Sequence, residues 1–190
     1  MAIVLASQSP RRQELLARIG VEDFKTLSLD IDESYPEGLS PEDTVRYIAK
    51  KKCDAAAALC APDDLIITAD TMVFLGNDRL GKPRDEEDAL CMLRELAGRG
   101  HTVCTGVSVR RGETSELFAV STRVFFRPAT DDEIRAYIKT GEPMDKAGAY
   151  GVQSRGALFV ERIDGDFFNV MGLPVEQLGL VLARFGVKLL

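Results

Sequence analysis

Five cations and four carboxylates stand in turns and at the starts of helical patterns: Arg11, Arg12, Lys52, Lys82 and Lys146, with Asp30, Asp32, Glu33 and Asp70. Cations of this kind can hold a chain of phosphates. Carboxylates can recruit Mg²⁺ or Mn²⁺, and one of them can take a proton from water, so the set suits a metal-assisted attack of water on a polyphosphate. Any one of these residues alone is more often a solvated surface charge than a catalyst. The densest stretch is Ser7-Gln8-Ser9-Pro10-Arg11-Arg12, which follows the apolar run Ile3, Val4, Leu5. Ser9 suits a helix N-cap and Pro10 the first helical position, where a missing N–H costs nothing. Arg11 and Arg12 then fall at the positive end of the helix dipole, where cations are unfavourable. Two explanations stand open. An external anion can be held jointly by the guanidinium groups, the free backbone N–H groups and the Ser7 hydroxyl, or the arginines are solvated and paired with Glu14 and other carboxylates.

Other chemistries find little support. There is no GxxxxGK[ST] loop, no GxGxxG after the first strand and no Gly-x-Ser-x-Gly elbow. The single histidine, His101, cannot build a His-rich metal site and lacks a paired nucleophile, so it reads as structural. Cys53, Cys60, Cys91 and Cys104 show no CxxC pair and no zinc spacing, and read as reduced, mostly buried thiols. A net charge of -6 argues against a general binder of polymeric nucleic acid. No apolar run approaches a membrane span, and Met1 leads straight into a predicted strand without a signal peptide, so the expected compartment is cytoplasmic.

The elements that must position the charged residues can be read in order. The first helix, with Leu15, Leu16 and Ile19 inward, stops at Gly20, and Phe24 to Leu29 alternates as a second strand. An acidic turn from Asp30 to Pro36 precedes a helix opened by Ser40-Pro41-Glu42-Asp43, whose buried face is Val45, Ile48, Ala49, Ala56 and Leu59. Lys50, Lys51 and Lys52 cross its polar side, mostly as a solvated face, with room for one to point toward a site. Leu65 to Thr68 reads as a buried strand with Asp70 just past its carboxyl end, where open α/β sheets tend to bind ligands. Met72 to Leu80 suggests a hairpin leading to a constrained Gly81-Lys82-Pro83 loop, and Asp85 caps a helix ending near Gly98. Two long strands, Thr102 to Val109 and Leu117 to Phe126, are joined near Arg111-Gly112. Thr130 and Glu133 form a capping box, the stretch from Asp145 to Gln153 is irregular, and Leu158 to Ile163 with Phe167 to Val170 suggests a strand pair. Gly172-Leu173-Pro174 introduces the last helix. With no repeat or linker, residues 1–190 read as one domain.

ASQSPRR near the start, IDES with Glu33, ADT at Ala69 to Thr71, GKP at Gly81 to Pro83, DKAGAYGVQ ending at Gln153 and the following GLP together resemble the Maf family of nucleoside triphosphate pyrophosphatases. The resemblance spans nearly the whole chain in the family's order and spacing. It implies an α/β fold, with an elongated mixed β-sheet flanked by helices and two lobes around a central cleft, similar to inosine triphosphatases. It implies hydrolysis of a nucleoside triphosphate to the monophosphate and pyrophosphate, with a divalent cation, Mg²⁺ or Mn²⁺, as cofactor and a homodimer as the assembly. Carried over position by position, Asp70 activates water, Glu33 joins it at the metal, and Ser7, Arg12, Lys52 and Lys82 grip the phosphates. Lys52 is singled out of its lysine run by this alignment alone. Arg11, Thr71 and Gln153 match the branch that acts on dTTP and UTP, with CTP or modified uridine triphosphates as further candidates. A Gln amide can accept from N3–H and donate to a carbonyl of uracil or thymine, which a carboxylate cannot. Two alternatives remain: a non-catalytic nucleotide-binding regulator of cell division and septum formation, and a pyrophosphatase for non-standard purine triphosphates.

Overall fold

Ile3–Leu5 forms β1, the shortest possible spine: it pairs in parallel with β2 (Phe24–Thr26) on one side and with the start of β3 (Leu65–Leu75) on the other. The computed structural model describes residues 1–190. Between these strands lie α1 (Pro10–Arg18) and α2 (Pro41–Ala57). There follow β4 (Asp78–Leu80), α3 (Glu86–Leu96), β5 (Gly100–Arg111), β6 (Thr114–Phe126) and α4 (Asp131–Ile138). Three short 3₁₀ turns between Glu142 and Phe159 lead to β7 (Val160–Asp164), α5 (Phe167–Met171) and α6 (Val175–Arg184). The strands form one mixed sheet in the order β2-β1-β3-β5-β6-β7, with β4 antiparallel to β3 and β7 antiparallel to β6.

The chain divides into two compact units. The first comprises Met1–Asp70, Thr105–Val120 and Gly172–Leu190, the second Thr71–Cys104 and Ser121–Met171. In the first unit, α2 is seated on the sheet by both apolar and polar contacts. Ile66 packs with Ala6, Cys53 and Ala56, and Thr68 Oγ1 donates to the Ala49 carbonyl at 2.7 Å. Gly106 lets β5 approach the helix backbone, since a Cβ there would stand 2.3 Å from the Val45 carbonyl oxygen. Only glycine permits that approach. In the second unit, α3 buries Ala89, Leu90, Leu93 and Leu96, and α4 opens with both halves of the Thr130–Glu133 capping box formed.

His101 belongs to the aromatic core of this second unit. It lies edge-on to Phe126 and Tyr150, its Nε2 shares a 2.8 Å hydrogen bond with the Tyr150 hydroxyl, and its Nδ1 has no partner. Burial pushes its pKa down to about 4, so the folded protein holds it neutral. An unfolded histidine takes up a proton near pH 6.5, which means that the native state loses stability as pH falls from about 6.5 to about 4. The loss approaches about 3 kcal/mol. A His101→Gln variant should flatten this part of the stability profile, measured by urea unfolding at stepped pH; an unchanged slope would separate His101 from acid lability.

Four expectations need correction. The second strand stops at Thr26 rather than Leu29, because β1 ends at Leu5 and offers only one further acceptor, the Leu5 carbonyl, to Leu27 N–H. Leu59 is 68% exposed and lies beyond the end of α2, and Cys53 takes a place on the buried face instead. The thiols are less uniformly buried than expected: Cys53 and Cys104 are buried, Cys91 is exposed. Phe167 to Met171 is a helix, not a strand. Asp166 accepts from Phe168 N–H through its side chain at 2.7 Å and from Val170 N–H through its carbonyl at 3.4 Å, which turns the chain over.

Candidate active site

Asp70 is not past the end of a strand, as the sequence suggests, but inside β3, which runs on unbroken to Leu75. The hairpin with β4 supplies the reason: Val73, Phe74 and Leu75 pair with Leu80, Arg79 and Asp78, so the strand continues after β1 has ended. Alternation along β3 places Ile66, Thr68 and Asp70 on one face. That is the face toward α2. On the helix, Lys52 lies three residues after Ala49, whose carbonyl Thr68 already holds, so it projects toward the same side.

The outcome is a chain of charges. Lys52 Nζ stands 2.7 Å from Asp70 Oδ1 and 2.8 Å from Glu33 Oε1. Its neighbours in the run go elsewhere, Lys50 to Asp54 at 2.5 Å and Lys51 to Asp32 at 3.2 Å. Asp70 is 6% exposed, and its second oxygen, Oδ2, is buried without a hydrogen-bond partner. A buried carboxylate oxygen left in this state is costly, and in native proteins such an atom calls for an explanation.

Arg12 closes the other side of this group. Its Nε donates to the Gly172 carbonyl at 2.8 Å, and its Nη1 donates to the Ala69 carbonyl at 2.8 Å and to Ser7 Oγ at 3.4 Å. Burial draws its pKa below the ordinary value, and the charges of Asp70 and Glu33 oppose that pull. Ser7 Oγ also accepts from Ser9 N–H at 3.2 Å, while Ser9 itself caps α1 without a side-chain bond. The first turn of α1 holds no acidic residue, and Glu14 is engaged by Arg18 at 2.6 Å. Glu14 is thus taken by Arg18, and the carboxylates whose charges act on Arg12 are Asp70 and Glu33.

Ser7, Arg12, Glu33, Lys52 and Asp70 are thus gathered in the first unit. Arg11 is half-buried in the same first turn of α1. Thr71 follows Asp70 and so projects from the opposite face of β3. Lys82 and Gln153 belong to the second unit and are exposed. There the Gly81 carbonyl accepts from Gly148 N–H at 3.0 Å, tying the Lys82 loop to the irregular segment that leads to Gln153. Two inventory residues turn out to serve local structure. Lys146 Nζ binds the Glu142 carbonyl and Asp145, each at 2.7 Å, and Asp32 binds Ser34 and Lys51, which hold its pKa down to about 2. The carbonyls of Ala69 and Gly172 are partners that the sequence reading missed; Gly172 lies 160 positions from Arg12, and no local pattern signals such a contact.

The donor set bears on the metal. Glu33 and Asp70 offer hard oxygen donors, and no group of three metal-ligating side chains is formed. Two carboxylates are too few for an all-protein calcium cage. They fit an ion such as Mg²⁺ or Mn²⁺ that takes its remaining ligands from water and substrate phosphates.

The sequence model of the family described as Maf-like protein matches residues 2–185. The chain belongs to the Maf family. Maf relatives named dTTP/UTP pyrophosphatase include one from Bacillus velezensis, 46% identical over 98% of this chain and 97% of the relative. A second, from Geobacillus, is 47% identical over 97% of this chain and 98% of its own, and a third, from Bacteroides fragilis, is 47% identical over 93% and 92%. Among solved structures, the fold is similar to the Ham1 protein of Staphylococcus aureus, with a TM-score of 0.54 at 14% identity over 97% of this chain and 100% of that one. A HAM1 protein from Coxiella burnetii gives 0.53 at 12% identity over 97% and 99%. The mixed α/β architecture expected for a Maf chain is therefore the observed one. No helix is long and apolar enough to cross a membrane.

Proposed function

We propose that this Maf chain hydrolyses dTTP and UTP between the α and β phosphates, releasing the monophosphate and pyrophosphate. The observation that carries the reading is the state of Asp70: a buried carboxylate with one oxygen held by Lys52 and the other without a partner. An acid so placed can take a proton from water at Oδ2 while Lys52 fixes its orientation at Oδ1. Glu33 and Asp70 would hold the divalent cation, Mg²⁺ or Mn²⁺, whose bound form supplies Lewis-acid polarisation of phosphate oxygens.

The other residues take consistent parts. A lysine ammonium carries three donors, so Lys52 can keep both carboxylates and still reach a phosphate oxygen. Arg12, Ser7 and Lys82 supply further donors for the triphosphate, stabilising the charge that grows on the leaving pyrophosphate. Gln153 reads the imide edge of uracil or thymine, with Arg11 and Thr71 as the companion specificity positions. The names of the relatives support this substrate class.

A panel of dTTP, UTP, CTP, GTP, ATP and ITP, assayed for pyrophosphate with and without Mn²⁺ or Mg²⁺, tests the reading. Release from dTTP and UTP first, and only with metal, is the expected result. Tight nucleotide binding without turnover would favour the regulatory alternative, and preferential release from ITP would favour the purine one.

A further inference from the structure

The second unit contains a carboxylate that the reaction does not use and that is heavily committed. Glu142 Oε1 accepts from the Tyr137 hydroxyl at 2.7 Å, from Ser154 Oγ at 2.5 Å and from Gly156 N–H at 3.2 Å, while Oε2 accepts from Arg155 N–H at 3.2 Å. The Tyr137 hydroxyl in turn accepts from Gly151 N–H at 3.2 Å. Glu142 is fixed from its own side as well, through its carbonyl to Lys146 Nζ at 2.7 Å and its N–H to Thr140 Oγ1 at 3.2 Å.

What these bonds hold is short and otherwise weakly held. Ahead of the 3₁₀ turn Arg155–Phe159, whose end is closed by Val160 N–H on the Ala157 carbonyl, the backbone bonds of this segment are a long 3.5 Å contact from Ser154 N–H to the Gly151 carbonyl and one from Ala157 N–H to the Ser154 carbonyl at 3.0 Å. No strand ladder or α-helix fixes this segment. The packing is nevertheless tight: a Cβ on Gly156 would lie 2.7 Å from both the Gly151 carbonyl oxygen and the Tyr137 hydroxyl oxygen. Gln153 stands in the middle of the segment, exposed, between Gly151 on one side and Ser154, Arg155 and Gly156 on the other.

From this arrangement we infer that Glu142 is a positioning residue for nucleobase selection: its carboxylate, with the Tyr137 hydroxyl, clamps residues 151–156 so that the Gln153 amide meets the base in a set orientation. Burial alone would push the Glu142 carboxyl up, but bonds from Ser154, Tyr137 and the backbone N–H groups outweigh it and hold it below the usual carboxylate range. The clamp is therefore an ionised acceptor, which is stronger than a neutral one. An amide in its place could accept through its oxygen only, and its NH₂ would face the Arg155 N–H, donor against donor. The inference rests on the role proposed for Gln153.

The test compares the wild-type chain with Glu142→Gln, Tyr137→Phe, Gln153→Ala and the Glu142→Gln/Gln153→Ala pair, in steady-state hydrolysis of UTP and GTP. For Glu142→Gln the preference for UTP over GTP is expected to fall about tenfold, through a higher KM for UTP with kcat within about threefold, because a misplaced amide weakens base recognition rather than proton transfer. Tyr137→Phe should lose preference in the same direction, and adding Glu142→Gln to Gln153→Ala should cost no further preference. Faster amide exchange confined to residues 151–156 is the accompanying structural signature. Unchanged preference in Glu142→Gln, an equal loss for both nucleotides, or additivity with Gln153→Ala would overturn the inference. If Glu142→Gln does not fold, Tyr137→Phe and Ser154→Ala, each removing one hydroxyl, take its place, and intact preference in both overturns it. A Gln153→Ala chain that keeps its UTP preference instead overturns the reading of Gln153 itself.

Discussion

With Asp70 as the proposed proton acceptor, Asp70→Asn is expected to lower kcat for UTP by about 10²- to 10⁴-fold, the share a positioned general base contributes. The substitution keeps volume and the contact with Lys52, since the amide oxygen can accept from Nζ where Oδ1 now stands at 2.7 Å. What disappears is the basic oxygen. Losing one partner of a buried pair costs about 3–5 kcal/mol where the other charge is left alone, and Glu33 at 2.8 Å keeps Lys52 compensated, so the loss of stability should stay below that range. The expected result is a folded chain that melts cooperatively at or somewhat below the wild-type temperature, with near-normal nucleotide affinity and almost no pyrophosphate release. Turnover within tenfold of wild type would take the proton-accepting role away from Asp70.

Arg12→Lys is the second large effect, and it acts on fold and turnover at once. Nε and Nη1 span two backbone carbonyls, Ala69 and Gly172, each at 2.8 Å. A lysine is a point charge on a flexible stem and cannot reproduce that fork. One carbonyl or both lose their partner, at about 1–3 kcal/mol each, and each kcal/mol lost lowers the melting temperature by roughly 2–4 °C at this chain length. Ala69 precedes Asp70, so the same loss loosens the strand under the proposed proton acceptor. With Arg12 in its proposed role, catalytic efficiency should fall about 10²-fold or more for every triphosphate alike, since that role is phosphate grip and placement rather than base reading. Calorimetry and kinetics on one preparation check both halves. A variant that melts like wild type would deny the carbonyl ties any supporting role.

Local rules made much of the scaffold legible, because the relevant signals are short-range. Ser40, Asp85 and Thr130 accept N-cap bonds from Asp43, Asp88 and Glu133 where the sequence places helix starts. Gly20, with φ of 93°, ends the first helix as expected. Failures arise where tertiary partners decide. Phe167 to Met171 carries a strand-like composition, yet buried Asn169 donates to the Val103 carbonyl at 3.0 Å and to Thr122 Oγ1 at 2.9 Å, and the Asp166 cap turns the segment helical. At the site, the charged residue types pointed to phosphate chemistry. Choosing Lys52 from three adjacent lysines needed either the family resemblance or the Thr68–Ala49 hydrogen bond, and only the first is visible in a sequence. The Glu142 network leaves little trace in the sequence because two of its four partners are backbone N–H groups and the hydroxyls of Tyr137 and Ser154 lie on separate segments.

The unbroken course of β3 makes its length a matter of parity. The strand is pinned at Ile67 against Leu5 and at Val73 against Leu80, with five residues between. Adding or deleting one residue in that interval exchanges the two sides of the pleat for everything downstream of the change, or forces a bulge that absorbs it. A deletion just before Asp70 would turn its carboxylate away from Lys52 and bring Thr71 round in its stead. Substitutions can be accommodated along this strand one at a time, whereas an insertion or deletion there strikes the acid and its neighbour together.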